Sequence, residues 1–216
     1  MTRTEKLLAE LIALPSVNPA FASAGASARP ARAGGSNYGE KNVADFLASI
    51  AADAGVDVEL QTVLPDRANL IARLLPAGKI KQTILLAPHL DTVGADEIQF
   101  TPQRKNGRLY GRGACDTKGS VAAMLSALCE VAAAKSRPRE TEIVFVGLID
   151  EENAQAGSRA LATAGFKADL AIVGEPTKLQ VVTAHKGSLW MRLETNGRAA
   201  HGATPQLGKK DRKSVV

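Results

Sequence analysis

The sequence predicts an α/β fold, a mixed but mostly parallel sheet with helices on both faces. Segments with helical spacing alternate with short apolar runs along most of the chain. Several of those runs are apolar at nearly every position, as strands covered on both faces are. The 216 residues, 45% hydrophobic and 23% charged, have ordinary globular composition, sufficient for one good core or two small ones.

Each element has its own signal. Thr2 and Glu5 fit a capping box, and Leu7, Leu8, Leu11, Ile12 and Leu14 follow at helical spacing until Pro15. From Ser16 to Asn37 the chain reads as a small-residue loop. Asn37 with Glu40 reads as the cap of a second helix that buries Val43, Phe46, Leu47, Ile50 and Ala51, and Gly55 closes it. Residues 56–63, VDVELQTV, alternate in the manner of a half-exposed strand. NLIARLL and TILLAP are further strands, and Asn106-Gly107 marks a hairpin turn. Thr117 to Ala134 is a small-residue helix with Val121, Met124, Leu125, Leu128 and Val131 along one side. TEIVFVGLI is a continuous apolar strand, AGSRALATAG a short helix, and DLAIVG another buried strand. After residue 186 the character changes, and the amphipathic strand SLWMRLETNG opens a second domain. The expected division is 1–186 and 187–216.

Composition excludes several classes. No apolar run approaches the roughly 20 residues of a membrane helix. Glu5, Lys6 and Glu10 rule out a secretory signal, and a transit peptide is disfavoured despite the Arg/Ala/Ser-rich piece from Ala20 to Ser36. Cys115 and Cys129 are too few for a disulfide framework and read as reduced thiols of a cytoplasmic protein. The net charge of +5 is partly local, since Lys209, Lys210, Arg212 and Lys213 against Asp211 supply three of it. No basic stripe with interleaved aromatics appears, so no nucleic-acid partner is expected.

The chemistry lies at the strand ends. In open α/β sheets ligands bind beyond the carboxyl ends of the strands. Here TILLAP ends in His89 and Asp91, IVFVGLI in Asp150, Glu151 and Glu152, and LAIVG in Glu175. Asp116 sits in GRGACDTKG just before a helix. One acid at a strand end is usually a cap or a solvated loop residue. Carboxylates gathered in one crevice, however, cannot all stay ionised without cations. One His with several carboxylates suits Zn²⁺, Co²⁺ or Mn²⁺, and the abundance of acids favours two ions with Asp116 as the bridge. His89 is then a direct ligand, and Asp91 the carboxylate behind it that sets its tautomer. Neighbours on an extended chain point apart, so one of Glu151 and Glu152 binds metal and the other serves as general base; spacing leaves open which. Rival motifs fail: Asp116 interrupts both the phosphate-loop and dinucleotide patterns, and neither H-E-x-x-H nor G-x-S-x-G occurs. Cys115 reads as a small buried thiol rather than a nucleophile.

APHLDTVG, YGRGACDTKG, DEEN, VGEPT and GRAAHGATP, in that order, resemble the co-catalytic zinc aminoacylase/carboxypeptidase family. The resemblance runs from about Thr4 to Gly208, and GEPT with AHKG resembles its acetylornithine deacetylase and succinyl-diaminopimelate desuccinylase branch most. It implies a zinc-exopeptidase-like sheet followed by the start of an α+β lid domain that forms a homodimer. It implies that His89, Asp116 and Glu175 hold one Zn²⁺, that Asp116 and Glu152 hold a second, and that Glu151 is the general base. It implies that His201 is the lid histidine that reaches the partner's site and stabilises the oxyanion. His185 carries no assigned role beyond a hinge-side contact. The implied reaction is hydrolysis of an N-acyl amino acid, with a dipeptidase or carboxypeptidase activity as the alternative and an inactive metal-binding fragment as a third. The resemblance also implies a cis peptide between Asp116 and Thr117.

Two departures stand out. The family's glycine-rich sequel to DEE is replaced by Asn153-Ala154-Gln155-Ala156-Gly157. The chain also stops inside the expected lid domain, before the family's last histidine ligand and its substrate-carboxylate contacts. The ending GKKDRKSVV departs from the family's GKN, and residues 209–216 read as an artefactual tail on a truncated gene.

Overall fold

The structure is a computed structural model that describes residues 1–21, 38–184, 186, 187, 191, 196–198 and 200–209. Met1–Leu179 forms one compact unit and Gln180–Val216 another, so the first unit ends earlier than the division expected after residue 186. His185 and most of SLWMRLETNG lie outside the described residues, as do Asn37 and the tail from Lys210.

The first unit holds α1 (Arg3–Ala13), α2 (Lys41–Asp53), β1 (Asp57–Leu64), β2 (Arg67–Leu74), β3 (Gln82–Ala87), β4 (Gln103–Lys105), β5 (Arg108–Tyr110), α3 (Lys118–Ala133), β6 (Thr141–Gly147), α4 (Ala156–Thr163) and β7 (Leu170–Val173). The main sheet has the order β1-β2-β6-β3-β7. Strand β2 is antiparallel to both neighbours, whereas β3 runs parallel to β6 and to β7. Every strand except β2 therefore points the same way, and the sheet is mixed but mostly parallel. The β4–β5 hairpin stands apart, turned by Asn106 and Gly107, both at positive φ as a two-residue hairpin turn requires.

Alternation along β2 and β6 sorts side chains to two cores. Leu70, Ala72 and Leu74 of β2 and Phe145 of β6 face one layer, against Leu7 and Leu11 of α1, Val43 and Leu47 of α2, and Val121, Leu125 and Leu128 of α3. Ile71, Val144 and Val146 face the other, with Leu85 and Ala87 of β3 and Leu161 of α4. Helices thus cover both faces. Helix α1 begins as its capping box dictates, with Thr2 and Glu5 exchanging backbone N–H bonds.

Two local expectations need correction. Helix α2 is capped by Glu40 without any side-chain capping bond. The Glu40 carboxylate is instead buried against Arg67, which a charged partner holds more strongly than an amide. Strand β7 is not buried: Leu170, Ile172 and Val173 are 49, 46 and 61% exposed. Among the described residues it lies at the edge of the sheet and pairs with β3 alone. The loop expected from Ser16 does begin there, but its first residues are held in place. Ser16, Val17 and Asn18 are buried, because Asn18 N–H donates to Thr92 O (2.8 Å) and Thr92 N–H to Ser16 O (3.0 Å).

A tight backbone junction lies where α4 meets the end of β6. A Cβ on Gly157 would stand 2.5 Å from Asn69 Oδ1, 2.6 Å from Ile149 O and 2.7 Å from Ile149 N. Two of these are backbone atoms of the core and cannot yield cheaply. Gly157→Ala is expected to lower unfolding stability in urea melts by about 1–3 kcal/mol. Gly94→Ala, which meets nothing within 4 Å, should stay within about 0.5 kcal/mol of the unaltered chain.

Candidate metal centre

Because β3, β6 and β7 are parallel neighbours, their carboxyl ends share one edge of the sheet. His89 follows β3, Glu151 and Glu152 follow β6, and Glu175 follows β7. Asp116 comes from the turn leading into α3. The imidazole of His89, buried at 2% exposure, lies at the centre. Its Nε2 is 3.0 Å from Asp116 Oδ1, 3.8 Å from Glu151 Oε2 and 3.9 Å from Glu175 Oε1. His89, Glu151 and Glu175 form one group whose ligand atoms lie within 4.8 Å of one another, and His89, Asp116 and Glu152 form a second.

Two loops are tied together beneath this cluster. Thr117 Oγ donates to Gly174 O, joining the start of α3 to the loop that carries Glu175. The Asp116–Thr117 peptide is cis, as the resemblance implies. Lys118 is almost fully buried, and its Nζ donates to Leu11 O (2.8 Å) and Leu14 O (2.6 Å) at the carboxyl end of α1. Burial pushes the Lys118 amine down to about 7, and its N–H donors serve Leu14 O and give a second bond to Leu11 O, which also accepts Leu14 N.

The Glu151–Glu152 pair is not extended, which corrects the reading that the two side chains must point apart. The segment is a turn, with Asp150 at φ 65°. Asp150 stabilises it locally: its carboxylate accepts from Ala154 N (3.3 Å) and Ala156 N (3.4 Å), and its carbonyl from Gln155 N (2.6 Å). On the turn, Glu151 and Glu152 each fall into one of the two ligand groups.

Asp91 acts differently from the simple picture of a carboxylate orienting an imidazole. The nearer partner of His89 Nδ1 is the Asp91 backbone carbonyl at 2.9 Å, and the carboxylate Oδ1 stands at 3.5 Å. That carboxylate accepts from Glu151 N (3.0 Å), Glu152 N (3.1 Å) and Asn18 Nδ2 (2.7 Å). It therefore holds the glutamate turn as much as it holds the histidine.

Electrostatics follow from this crowding. Burial alone would lower the pKa of His89, but Asp91, Asp116 and Glu175 raise it to about 10. Burial raises Glu151 and Glu152, and neighbouring carboxylates add to the rise. Glu175 is pushed up to about 7 by burial and by Glu151, Asp116 and Glu152, against the lowering effect of His89. Burial also works to raise Asp91, yet the bonds from His89 and Asn18 and the Glu152 amide bring it below its ordinary value. One imidazole thus serves several carboxylates whose charges oppose one another. A divalent cation relieves that opposition, and the nitrogen-plus-oxygen donor set is one that Zn²⁺, Co²⁺ or Mn²⁺ accepts. The residues fit a metal.

Among the other residues singled out, His201 lies in the second unit, exposed, on a turn where its ring Nδ1 faces Ala203 N at 3.3 Å. Cys115 is exposed rather than buried, because Thr117 takes the inward position on that turn, while Cys129 is buried in the α1–α3 layer. Sequence reading missed Asn18, Glu40, Arg67 and Lys118. All are buried or nearly so and polar, a combination visible only once the fold places them. The one signal available was Lys118, a lone cation at a helix start, where charge opposes the dipole.

A mostly parallel α/β sheet with a histidine–carboxylate cluster beyond its strand ends is an architecture able to hold divalent cations. The chain belongs to peptidase family M20/M25/M40, whose model matches residues 85–205. Similar solved structures include an M20 family metallo-carboxypeptidase from Sulfolobus solfataricus (21% identity, TM-score 0.60, 81% of this chain and 37% of that one). Others are a tripeptidase from Staphylococcus aureus (18%, 0.61, 95% and 52%) and human carnosine dipeptidase 1 (20%, 0.57, 90% and 41%). At such identities the likeness shows the fold. The chain spans between 37 and 52% of the length of these structures. Among the described residues no helix is long and apolar enough to cross a membrane.

Metal uptake at such a site must displace protons, because ligands bind deprotonated. With His89 at about 10 and Glu175 at about 7 in the metal-free chain, both carry protons below pH 7. Co²⁺ affinity is expected to rise with pH from 6 to 9, with net proton release. Calorimetry in buffers of different ionisation enthalpy measures that release; a pH-independent affinity would contradict it.

Proposed function

We propose that this chain carries the metal centre of an amide hydrolase acting on small N-acyl amino acids, with an acetyl or succinyl group removed from a substrate such as acetylornithine or succinyl-diaminopimelate. One observation supports this above others: His89, Asp116, Glu151, Glu152 and Glu175, from four separate loops, meet in one crevice of a family M20/M25/M40 fold. The VGEPT and AHKG segments favour the deacylase branch. A dipeptidase or carboxypeptidase reading is supported to a similar degree by the peptide-cleaving proteins of like fold.

By the family resemblance His89, Asp116 and Glu175 would hold one Zn²⁺ and Asp116 and Glu152 a second, with Co²⁺ or Mn²⁺ as substitutes; the observed groups differ in placing Glu151 with His89 and Glu175. Bound ions would polarise the scissile carbonyl and make water more acidic. Glu151 takes the proton from water and returns it to the leaving amine. Burial raises its pKa, which favours its taking up a proton. Asp91 keeps Glu151 and Glu152 at their stations through their backbone amides. His201 would add oxyanion stabilisation from a partner copy in a lid-mediated homodimer. Free thiols at Cys115 and Cys129 accord with a cytoplasmic setting.

Assay of the whole gene product with Zn²⁺ or Co²⁺ against acetylornithine, succinyl-diaminopimelate and a dipeptide panel decides between the two substrate classes. The acyl amino acids are expected to give the higher kcat/KM; preference for dipeptides would replace the deacylase reading with the peptidase one. Glu151→Gln is expected to reduce kcat by roughly 10²–10⁴-fold while metal content holds. Undiminished turnover would remove Glu151 as the base.

A further inference from the structure

Behind the cluster lies a second, largely buried polar chain, of which the mechanism uses only Asp91. Arg67 grips Glu40 through Nε (2.8 Å) and one terminal nitrogen (2.6 Å), and that same nitrogen reaches Asp150 Oδ1 at 3.2 Å. Glu40 Oε1 also accepts the Asp150 backbone amide at 3.1 Å. Asp150 Oδ1 then accepts from Asn18 Nδ2 at 2.9 Å, and the same nitrogen donates to Asp91 Oδ2 at 2.7 Å. Glu40, Asp91, Asp150 and Asn18 are each at most 2% exposed.

We propose that Asn18 is a positioning residue for the metal centre: its carboxamide ties Asp91 to Asp150 and so sets the distance between the His89 loop and the Glu151–Glu152 turn. This rests on the metal-centre reading above. A primary amide has two N–H donors, and both are spent on carboxylates that belong to different loops. Its orientation is forced, since a flipped amide would turn its oxygen towards two carboxylate oxygens; as placed, that oxygen accepts Ala20 N at 3.1 Å. The backbone of Asn18 is itself clamped to Thr92 O, one residue beyond Asp91. Arg67 and Glu40 anchor the far end, so the bridge has a fixed base. Without the two donors, Asp91 and Asp150 face each other buried and under-bonded. The loops must then separate or admit water, and the ligand groups on either side lose their spacing.

The test is Co²⁺ titration of the full chain by calorimetry, beside thermal unfolding of the metal-free form. Asn18→Leu matches the side-chain shape without either donor and adds no charge. It is expected to weaken Co²⁺ binding by roughly 10–100-fold, the range seen when a group behind metal ligands is removed. Val43→Ala, a core truncation on α2, should lower the melting temperature but leave Co²⁺ affinity of the folded chain unchanged, which separates positioning from general loss of stability. If Asn18→Leu does not fold, Asn18→Ser, which keeps one donor, decides, with affinity expected between those of the unaltered chain and a donorless site. Equal affinity in a folded Asn18 variant overturns the proposal alone. Failure of the unaltered chain to take up Co²⁺ overturns the metal-centre reading and this proposal with it.

Discussion

The carboxylate of Asp91 is the constraint on which the site depends. Parallel strands deliver several loops to one edge of a sheet, but the loops have no reason to agree on where their acids point. Asp91 imposes agreement by accepting the amides of Glu151 and Glu152 while its backbone carbonyl receives His89. One residue thereby orders side chains that stand sixty positions apart. Its bonds are charge-assisted and buried, where such bonds are strongest.

That order is maintained against opposing charge. Glu151, Glu152 and Glu175 all bind protons more readily than ordinary glutamates, which reflects burial and one another's fields. A fold selected for stability alone would not gather them. The compensation is distributed through the scaffold: the Arg67–Glu40–Asp150 chain behind the turn, Lys118 on the carbonyls of α1, and the Thr117–Gly174 bond between two loops. The left-handed backbone of Asp150 adds a further local cost at the same place. Unfavourable terms concentrate where chemistry is proposed and favourable ones surround them, and a bound cation would reverse the sign of the largest.

Much of this was readable in the letters. The capping box of α1, the hairpin at Asn106-Gly107 and the apolar runs of β2, β3 and β6 depend on local rules and appear where those rules place them. His89, Asp116, Glu152 and Glu175 stood out because an apolar strand has no packing use for a charged end. The failures share a different cause. Glu40 looked like half of a helix cap, but its carboxylate is buried on a guanidinium 27 positions away. Glu151 and Glu152 looked extended because nothing local reveals the bonds to Asp150 and Asp91 that curl the turn. β7 looked buried because its composition is apolar, whereas among the described residues it pairs with β3 alone and all four of its residues are exposed.

The sequence by itself determined which segments are helix or strand and which residue types could ligate a metal, since both follow from spacing and from the chemistry of single side chains. Only the tertiary structure decided which acids meet, which of them is a scaffold and which neutral amide bridges them. Those are properties of pairs brought close by strand order, and burial makes each pair's energy large. Asn18 shows the difference most plainly: in the sequence it is one polar residue before a proline, and in the fold it is held between two carboxylates.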